Sequence, residues 1–324
     1  MIPPKKIYGL IGYPVKHSLS PLMHNAAFLA LSIPAEYRLF ELEPAKLETF
    51  LVDNIKILDT QGKEFYSQDI AGFNITIPHK VRACEILKKE FPLSFGTLAQ
   101  VYQYYVKLSG AVNTVKREGG QLLYYNTDAE GFLRSLEDKE EGWGLGFKTK
   151  GKSALVIGSG GAGRAVLAAL SWKDKDTVME KIYITDINPN ALEDTKKHFL
   201  GQDRSQEWVD WLTQKLKFIT SDKIPETIEK CDLLVNASPV GMENDEGSLV
   251  PKHLIEKNKK LSVYDVVYNR TTQLVKDAKS LDRAAVGGKG MLLYQGVLAF
   301  EFWTGRPAPV EIMRQAINVS ARHS

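Results

Sequence analysis

Residues 153–170 read "SALVIGSGGAGRAVLAAL", and the fold class turns on them. "SALVIG" is a short continuous apolar run of strand length, and "AGRAVLAAL" is an alanine-rich run of helix formers. Between them Gly158, Gly160 and Gly163 keep the G-x-G-x-x-G spacing. That spacing is a weak signal alone, but it gains a mechanism when it follows a strand and opens a helix. The glycines allow a tight turn, close backbone approach to a pyrophosphate and close helix packing, and the helix start offers N–H groups to phosphate oxygens. The stretch therefore predicts the first strand, loop and helix of a dinucleotide-binding sheet, with Gly158, Ser159, Gly160, Gly161, Ala162 and Gly163 at the pyrophosphate. A purely structural glycine turn is disfavoured because every requirement of context is met.

Working outward, "KIYITDIN" follows as a strand and ends on Asp186, 23 residues beyond Gly163. A carboxylate there takes the adenosine ribose hydroxyls of NAD, whereas a 2′-phosphate would meet like charge. Residues 187–190 are Ile187, Asn188, Pro189 and Asn190 and include no arginine. The reading favours NAD over NADP, against Arg164, which is within reach of a phosphate, and against Asp186 as a mere turn residue. "LKFIT", "CDLLVNAS" and "LSVYDVVY" continue as buried strands with helices between them, the pattern of a doubly wound parallel sheet.

The N-terminal part also alternates strand and helix, which argues for α/β layers. "IYGLIGY" reads as a strand. "SLSPLMHNAAFLAL" reads as a helix capped by Ser20, with Pro21 at its first position and Leu22, Ala26 and Leu29 as its buried stripe. In "GFNITIPHK" (72–80) strand parity puts Asn74, Thr76 and Lys80 on one side, and Ile75 and Ile77 in the core. "SGAVNTVKREGGQLLYYNTD" reads as a hairpin around Gly119 and Gly120. Residues 56–71 and 201–215 are polar additions, and the charged, glycine-containing stretch 137–150 marks a boundary.

The 324 residues suggest two domains. With 42 basic and 39 acidic side chains the net charge is +3, too balanced to argue for nucleic acid or an anionic membrane. Cys84 and Cys231 fit neither a disulfide framework nor a metal site, and no apolar run spans a bilayer. Together these point to a cytoplasmic enzyme or binding protein; a small-molecule substrate and no metal are expected, and the sequence leaves open a monomer or homodimer. Ser18, Ser20, Thr76, Lys80, Asn113 and Asp128 are its compact polar clusters. Each taken alone reads as surface or cap.

The motifs "GLIGYPVKHSLSPLMHNAAF", "GFNITIPHK", "GAVNT", "NTDAEGF", "GSGGAGRA", "NASPVGM" and "GKGMLLYQ" occur in the order found in the shikimate dehydrogenase family, which the chain resembles over most of its length. The stretches near 52–71, 90–107 and 201–215 stand outside the match. The resemblance implies an N-terminal α/β substrate domain (residues 1–128 with 289–324) and a Rossmann domain (129–288), with C-terminal helices returning to the first. It implies reversible oxidation of shikimate to 3-dehydroshikimate, with hydride passing to a nicotinamide, in chorismate and aromatic amino acid biosynthesis. By resemblance, Ser18 and Ser20 bind the substrate carboxylate. Thr76, Asn113, Asp128 and Gln295 hold the ring hydroxyls, Lys80 is the base paired with Asp128, and Tyr268 lies near the substrate. Val266, Gly288 and Met291 would lie by the nicotinamide, and Ala237, Ser238, Val240 and Met242 would line the cofactor cleft. Alcohol oxidation needs a base at the hydroxyl, and a polyhydroxylated ring needs fixed donors and acceptors, so the residue types agree. Which of Lys80 and Asp128 carries the proton stays open here. His17, His24 and His79 are read as structural or rim residues.

Two local departures matter. Asp186-Ile187-Asn188 stands where biosynthetic members usually have Asn-Arg-Thr, so the chain looks like the NAD-using branch, whose members often accept quinate. "VYNRTTQL" lacks the usual proline after Tyr-Asn, which bears on the loop around Tyr268 and Arg270. A quinate or dual enzyme is the nearest alternative. Intact Lys80 and Asp128 argue against a non-catalytic dinucleotide-binding regulator, and the Ser-x-Ser pair against a folate-linked dehydrogenase.

Overall fold

In the computed structural model, which describes residues 5–92, 100–171, 179–201, 204–243 and 247–320, the 153–170 stretch forms a strand, a loop and the helix Gly161–Leu170. The chain divides into two units, Met1–Thr127 with Leu293–Ser324, and Asp128–Leu292.

In the first unit the strands are β1 (Lys6–Gly12), β2 (Ala35–Glu41), β3 (Lys56–Leu58), β4 (Glu64–Tyr66), β5 (Ile70–Ile75), β6 (Thr114–Glu118) and β7 (Gln121–Tyr125). Among the described residues the main sheet runs β2-β1-β5-β6-β7. β2, β1 and β5 are parallel, and β6 and β7 are antiparallel additions. β6 and β7 join at Gly119 and Gly120, whose φ of 59° and 79° is the left-handed pair that a two-residue hairpin turn needs. Ile11, Phe40, Phe50, Phe73, Leu87 and Val115 pack in the core. A second apolar group is aromatic: Tyr8 stacks between Phe28 and Trp303, and His24 stacks on Tyr37.

The additional stretch 56–71 folds as the β3–β4 hairpin, and Asp59 holds it. Asp59 Oδ1 accepts from the N–H groups of Gln61 (2.9 Å) and Lys63 (2.8 Å), and Oδ2 pairs with Arg38 on β2. The hairpin closes where it opens, since Ser67 Oγ donates to the Asp53 carbonyl at 2.9 Å and accepts from Ile55 N–H at 3.1 Å.

Three sequence expectations fail here for physical reasons. The buried face of the helix Ser20–Ala30 is Met23, His24, Ala27 and Phe28, while Leu22 and Leu29 are 45% and 82% exposed. That helix is apolar around most of its circumference, so its period did not single out one stripe. Ile77 is exposed, because β5 stops at Ile75 and the parity rule lapses before Pro78, which cannot donate to a ladder. Ser20 is the first helical residue and makes no capping bond. Its N–H instead donates to Ser18 Oγ.

The second unit holds β8 (Ser153–Ile157), β9 (Lys181–Thr185), β10 (Leu216–Phe218), β11 (Leu233–Asn236), β12 (Ser262–Asp265) and β13 (Ala285–Val286). All pair in parallel in the order β10-β9-β8-β11-β12-β13. Numbered from β8, that is the 3-2-1-4-5-6 order of a doubly wound dinucleotide fold. Every residue of β11 is buried, as expected for a strand covered on both faces. The stretch 137–150 lies inside this unit, where the Trp143 carbonyl accepts from Ser135 Oγ at 2.7 Å. The 201–215 stretch supplies the helix Gln206–Lys215, with Trp208 and Trp211 ring to ring at 5.1 Å. Of the 90–107 stretch, residues 93–99 lie outside the described residues. No helix among the described residues is long and apolar enough to cross a membrane.

Candidate active site

The first unit brings its polar clusters to one edge of its sheet. β1 and β5 run in parallel with Ile11 opposite Ile75, so both deliver their following loops to the same end. β6 begins there, with Thr114 between Asn74 and Tyr125. Ser18, Thr76, Asn113 and Thr127 therefore leave the sheet at a common edge, the position where open α/β sheets bind ligands.

Ser18 and Ser20 face each other, Oγ to Oγ at 3.2 Å. Thr76 N–H donates to the Ile11 carbonyl at 2.9 Å. A Cβ on Gly12 would stand 2.4 Å from Thr76 Cγ2, so only glycine lets Thr76 sit there. Lys80 opens the helix Lys80–Glu90, and its carbonyl accepts from Val112 N–H at 3.0 Å, next to Asn113. Gln295, on the helix Lys289–Thr304, is buried. Its neighbour Gly296 lies where a Cβ would meet the Met23 thioether, so that helix packs closely on Ser20–Ala30.

Asn113 is held on several sides. Its Oδ1 accepts from Thr127 N–H at 2.7 Å, and its Nδ2 donates to Thr127 Oγ1 at 2.9 Å. Asn74 Nδ2 donates to the Asn113 carbonyl (3.2 Å) and to Thr114 Oγ1 (3.0 Å), while its Oδ1 accepts from Tyr37 O–H at 2.8 Å. These groups are nearly all out of solvent, where each unmade bond would cost about 1–3 kcal/mol. Sequence reasoning missed Tyr37, Thr114 and Thr127, because partners so distant in the chain leave no local period. His79 and His24 are both buried. Burial lowers the pKa of each, His24 to about 3, while a bond between His79 Nε2 and the Leu42 carbonyl partly opposes the shift at His79.

In the second unit the glycine loop passes a geometric test for a dinucleotide. Gly158 has φ 106°, and a Cβ on it would lie 2.7 Å from the Ser238 backbone nitrogen. A Cβ on Gly163 would lie 1.9 Å from the Gly158 carbonyl, so this glycine lets the helix touch the loop. Gly160 faces open space instead, which leaves its backbone approachable by a ligand. The first-turn N–H groups of Gly161, Ala162 and Gly163 have no partner within the helix, as at any helix start. Asp186 stands beside this loop. Its Oδ2 accepts from Ser159 N–H (2.6 Å) and Oγ–H (2.8 Å), and its Oδ1 from Asn188 N–H (2.8 Å). Asn188 caps the helix Pro189–Leu200, and Ile187 is 95% exposed. Arg164 is buried, and its Nε donates to Thr195 Oγ1 at 3.0 Å.

The loop after β11 is organised by Asn236 and Asp265, which sequence reasoning also missed. Asn236 Oδ1 accepts from Ser238 N–H and Oγ–H, and its Nδ2 donates to the Val240 carbonyl and to Asp265 Oδ1. Asp265 is fully buried, which raises its pKa against the opposing bonds from Thr272, Val267 N–H and Asn236. The "VYNR" loop is tied to the same segment, since Asn269 Nδ2 donates to the Met242 carbonyl and Arg270 Nη1 to that of Glu243. Tyr268 is half-buried there. Gly288 sits against Val266, where a Cβ would be 2.1 Å from the Val266 carbonyl oxygen, and Met291 and Ala237 are buried. Asp128, also buried, opens the helix Asp128–Glu137 directly after Thr127. No group of three or more His, Cys, Asp or Glu side chains that could hold a metal ion is found among the described residues.

Residues 10–92 match the family model described as the shikimate dehydrogenase substrate binding domain, and residues 288–317 match that of the shikimate 5'-dehydrogenase C-terminal domain. Shikimate dehydrogenase (NADP(+)) of Desulforamulus reducens is 35% identical over 323 residues, covering 97% of this chain and 94% of that one. The protein of the same name from Methanopyrus kandleri is 36% identical over 317 residues, covering 96% and 94%. Among solved structures, shikimate 5-dehydrogenase from Listeria monocytogenes, in complex with shikimate and NAD, superposes with a TM-score of 0.69 at 26% identity, covering 96% of each chain. With identity of this level spread over nearly its whole length, the chain belongs to the shikimate dehydrogenase family of oxidoreductases.

Proposed function

We propose that this protein catalyses the reversible, NAD-preferring oxidation of shikimate to 3-dehydroshikimate. In this reading the first unit holds the substrate and the second the dinucleotide. The observation that carries it is the convergence of Ser18, Ser20, Thr76, Lys80 and Asn113 at one edge of the first sheet. When bound, the nicotinamide supplies the hydride acceptor. The chain's own residues do the rest. The paired hydroxyls of Ser18 and Ser20 bind the substrate carboxylate. Thr76, Asn113, Asp128 and Gln295 fix the ring hydroxyls, with Tyr268 beside them. Lys80 Nζ takes the proton released from the alcohol, and Asp128 pairs with it across the cycle. Gly158 to Ala162 cradle the pyrophosphate. Val266, Gly288, Met291 and the 237–242 loop shape the nicotinamide side. Cytoplasmic location is part of the reading and agrees with two buried free thiols, Cys84 and Cys231.

NAD preference rests on the Asp186 carboxylate and on the lack of arginine at 187–190. The relatives named above are NADP(+) enzymes, and Asp186 is what sets this chain's preference apart from theirs. Measuring kcat/KM for shikimate and quinate with NAD and with NADP tests both parts. An NADP preference above about tenfold would reject the cofactor assignment. Lys80→Ala is expected to lower kcat by roughly 10²–10⁴-fold with little change in shikimate affinity. Lost affinity with kcat retained would make Lys80 a binding residue only.

A further inference from the structure

The Asp186 carboxylate is held by the glycine loop more than by its own strand. Two of its three bonds come from Ser159, one from the backbone N–H and one from the hydroxyl, both to Oδ2. Ser159 is itself pinned from behind: its carbonyl accepts from Thr195 Oγ1 at 3.0 Å, and Thr195 Oγ1 accepts from Arg164 Nε at 3.0 Å. Ser159, Thr195 and Arg164 are all buried, so the arrangement is built into the unit. Any residue but proline at position 159 offers the N–H, but alanine there would lack the second donor that the serine hydroxyl supplies.

We propose that Ser159 is a positioning residue for cofactor discrimination: it fixes the place and direction of the Asp186 carboxylate against the adenosine ribose, favouring a free 2′-hydroxyl over a 2′-phosphate. This rests on the dinucleotide role given above to the second unit. Oδ2 accepts both Ser159 bonds and Oδ1 only the Asn188 N–H, so Oδ1 keeps the capacity to accept from the ribose. Arg164, committed to Thr195 through Nε, serves the same frame from the helix behind.

The test is a double-mutant cycle read by calorimetric binding to the protein without substrate, so that affinity is measured apart from turnover. NAD and NADP are titrated into wild type, Ser159→Ala, Asp186→Ala and the double variant. Ser159→Ala is expected to weaken NAD roughly fivefold and to leave NADP unchanged or improved. In the Asp186→Ala background the same substitution should change NAD affinity by less than about twofold, because the partner is gone. Equal weakening in both backgrounds would mean a general loop effect and overturn the proposal, as would no effect in wild type. The wild-type affinities report separately on the cofactor assignment. Tighter NADP binding by wild type would reject NAD preference, while the cycle would still measure the coupling of Ser159 to Asp186.

Discussion

His24 makes the first unit sensitive to mild acid, by an amount that can be worked out. The imidazole is wholly buried, stacked on Tyr37 with ring centroids 4.5 Å apart, and neither ring nitrogen has a hydrogen-bond partner among the described residues. Burial disfavours the cation and lowers its pKa from 6.5 to about 3. The unfolded chain therefore binds a proton below 6.5 that the folded chain refuses until about pH 3, so stability falls as pH falls through that window. Each pH unit in the window is worth about 1.4 kcal/mol, so moving from pH 6.5 to 5 costs about 2 kcal/mol. Against a net stability on the order of 5–15 kcal/mol, that is readily measured. The assay is urea unfolding of wild type and His24→Leu at pH 7, 6 and 5. Leucine removes the titration and keeps an apolar side chain. Wild type should lose about 2 kcal/mol relative to the variant between pH 7 and pH 5. Parallel losses in the two proteins, or a native His24 ring titrating near 6.5, would refute the argument.

Other consequences follow from single contacts. Gly163→Ala should destabilise the second unit by about 1–3 kcal/mol and abolish dinucleotide binding, since its Cβ would meet the Gly158 carbonyl; an unchanged urea midpoint and NAD affinity would contradict this. Tyr37→Phe keeps the ring on His24 but strips the donor from Asn74 Oδ1, and should cost about 1–3 kcal/mol in unfolding experiments, whereas a neutral result would mean that Asn74 repacks. Asp265 has the opposite sign to His24. Its folded pKa is raised by burial, so its contribution to stability is largest below the ordinary carboxylate value of 3.8 and is lost as pH rises through the folded value. Wild type should therefore lose stability relative to Asp265→Asn as pH rises above 3.8, and a difference that stays constant would show the carboxylate to be better solvated than its burial implies.

Much of this architecture was legible where a residue type is dictated by the local backbone. Gly158 and Gly163 announce the strand, loop and helix because each answers a separate steric demand, and Gly160 leaves its backbone open to a ligand. Gly119-Gly120 announces a hairpin for the same reason. Asp186 was legible by its distance from the loop. Positions whose outcome depends on the far side of the molecule were not legible. Leu22 and Leu29 looked like core because nothing local reveals that Met23 and Phe28 meet the incoming C-terminal helix instead. Asn74 stood in a polar parity with Thr76, yet Tyr37 and Thr114 draw it inward. Asp265 sat unnoticed at the end of a buried strand, although it joins Asn236 to Thr272 across two loops.

The β3–β4 hairpin closes on itself at its base and is open at its tip. Its entry at Asp53 and its exit at Ser67 are one hydrogen bond apart, while its body lies on β2, where Thr60 N–H donates to the Leu39 carbonyl at 2.9 Å and Phe65 packs edge to face on Phe40. Excision would take from Arg38 both Asp59 and the Phe65 ring beneath its guanidinium, leaving it Glu36, which accepts from its Nη2 at 2.7 Å, and would uncover Phe40. The tip at Gly62 has φ 82° and nothing within 4 Å of a would-be Cβ, so the same hairpin can also be lengthened. Its open tip at Gly62 makes it a point where a reporter or a second protein can be inserted in the N-terminal unit of a dehydrogenase.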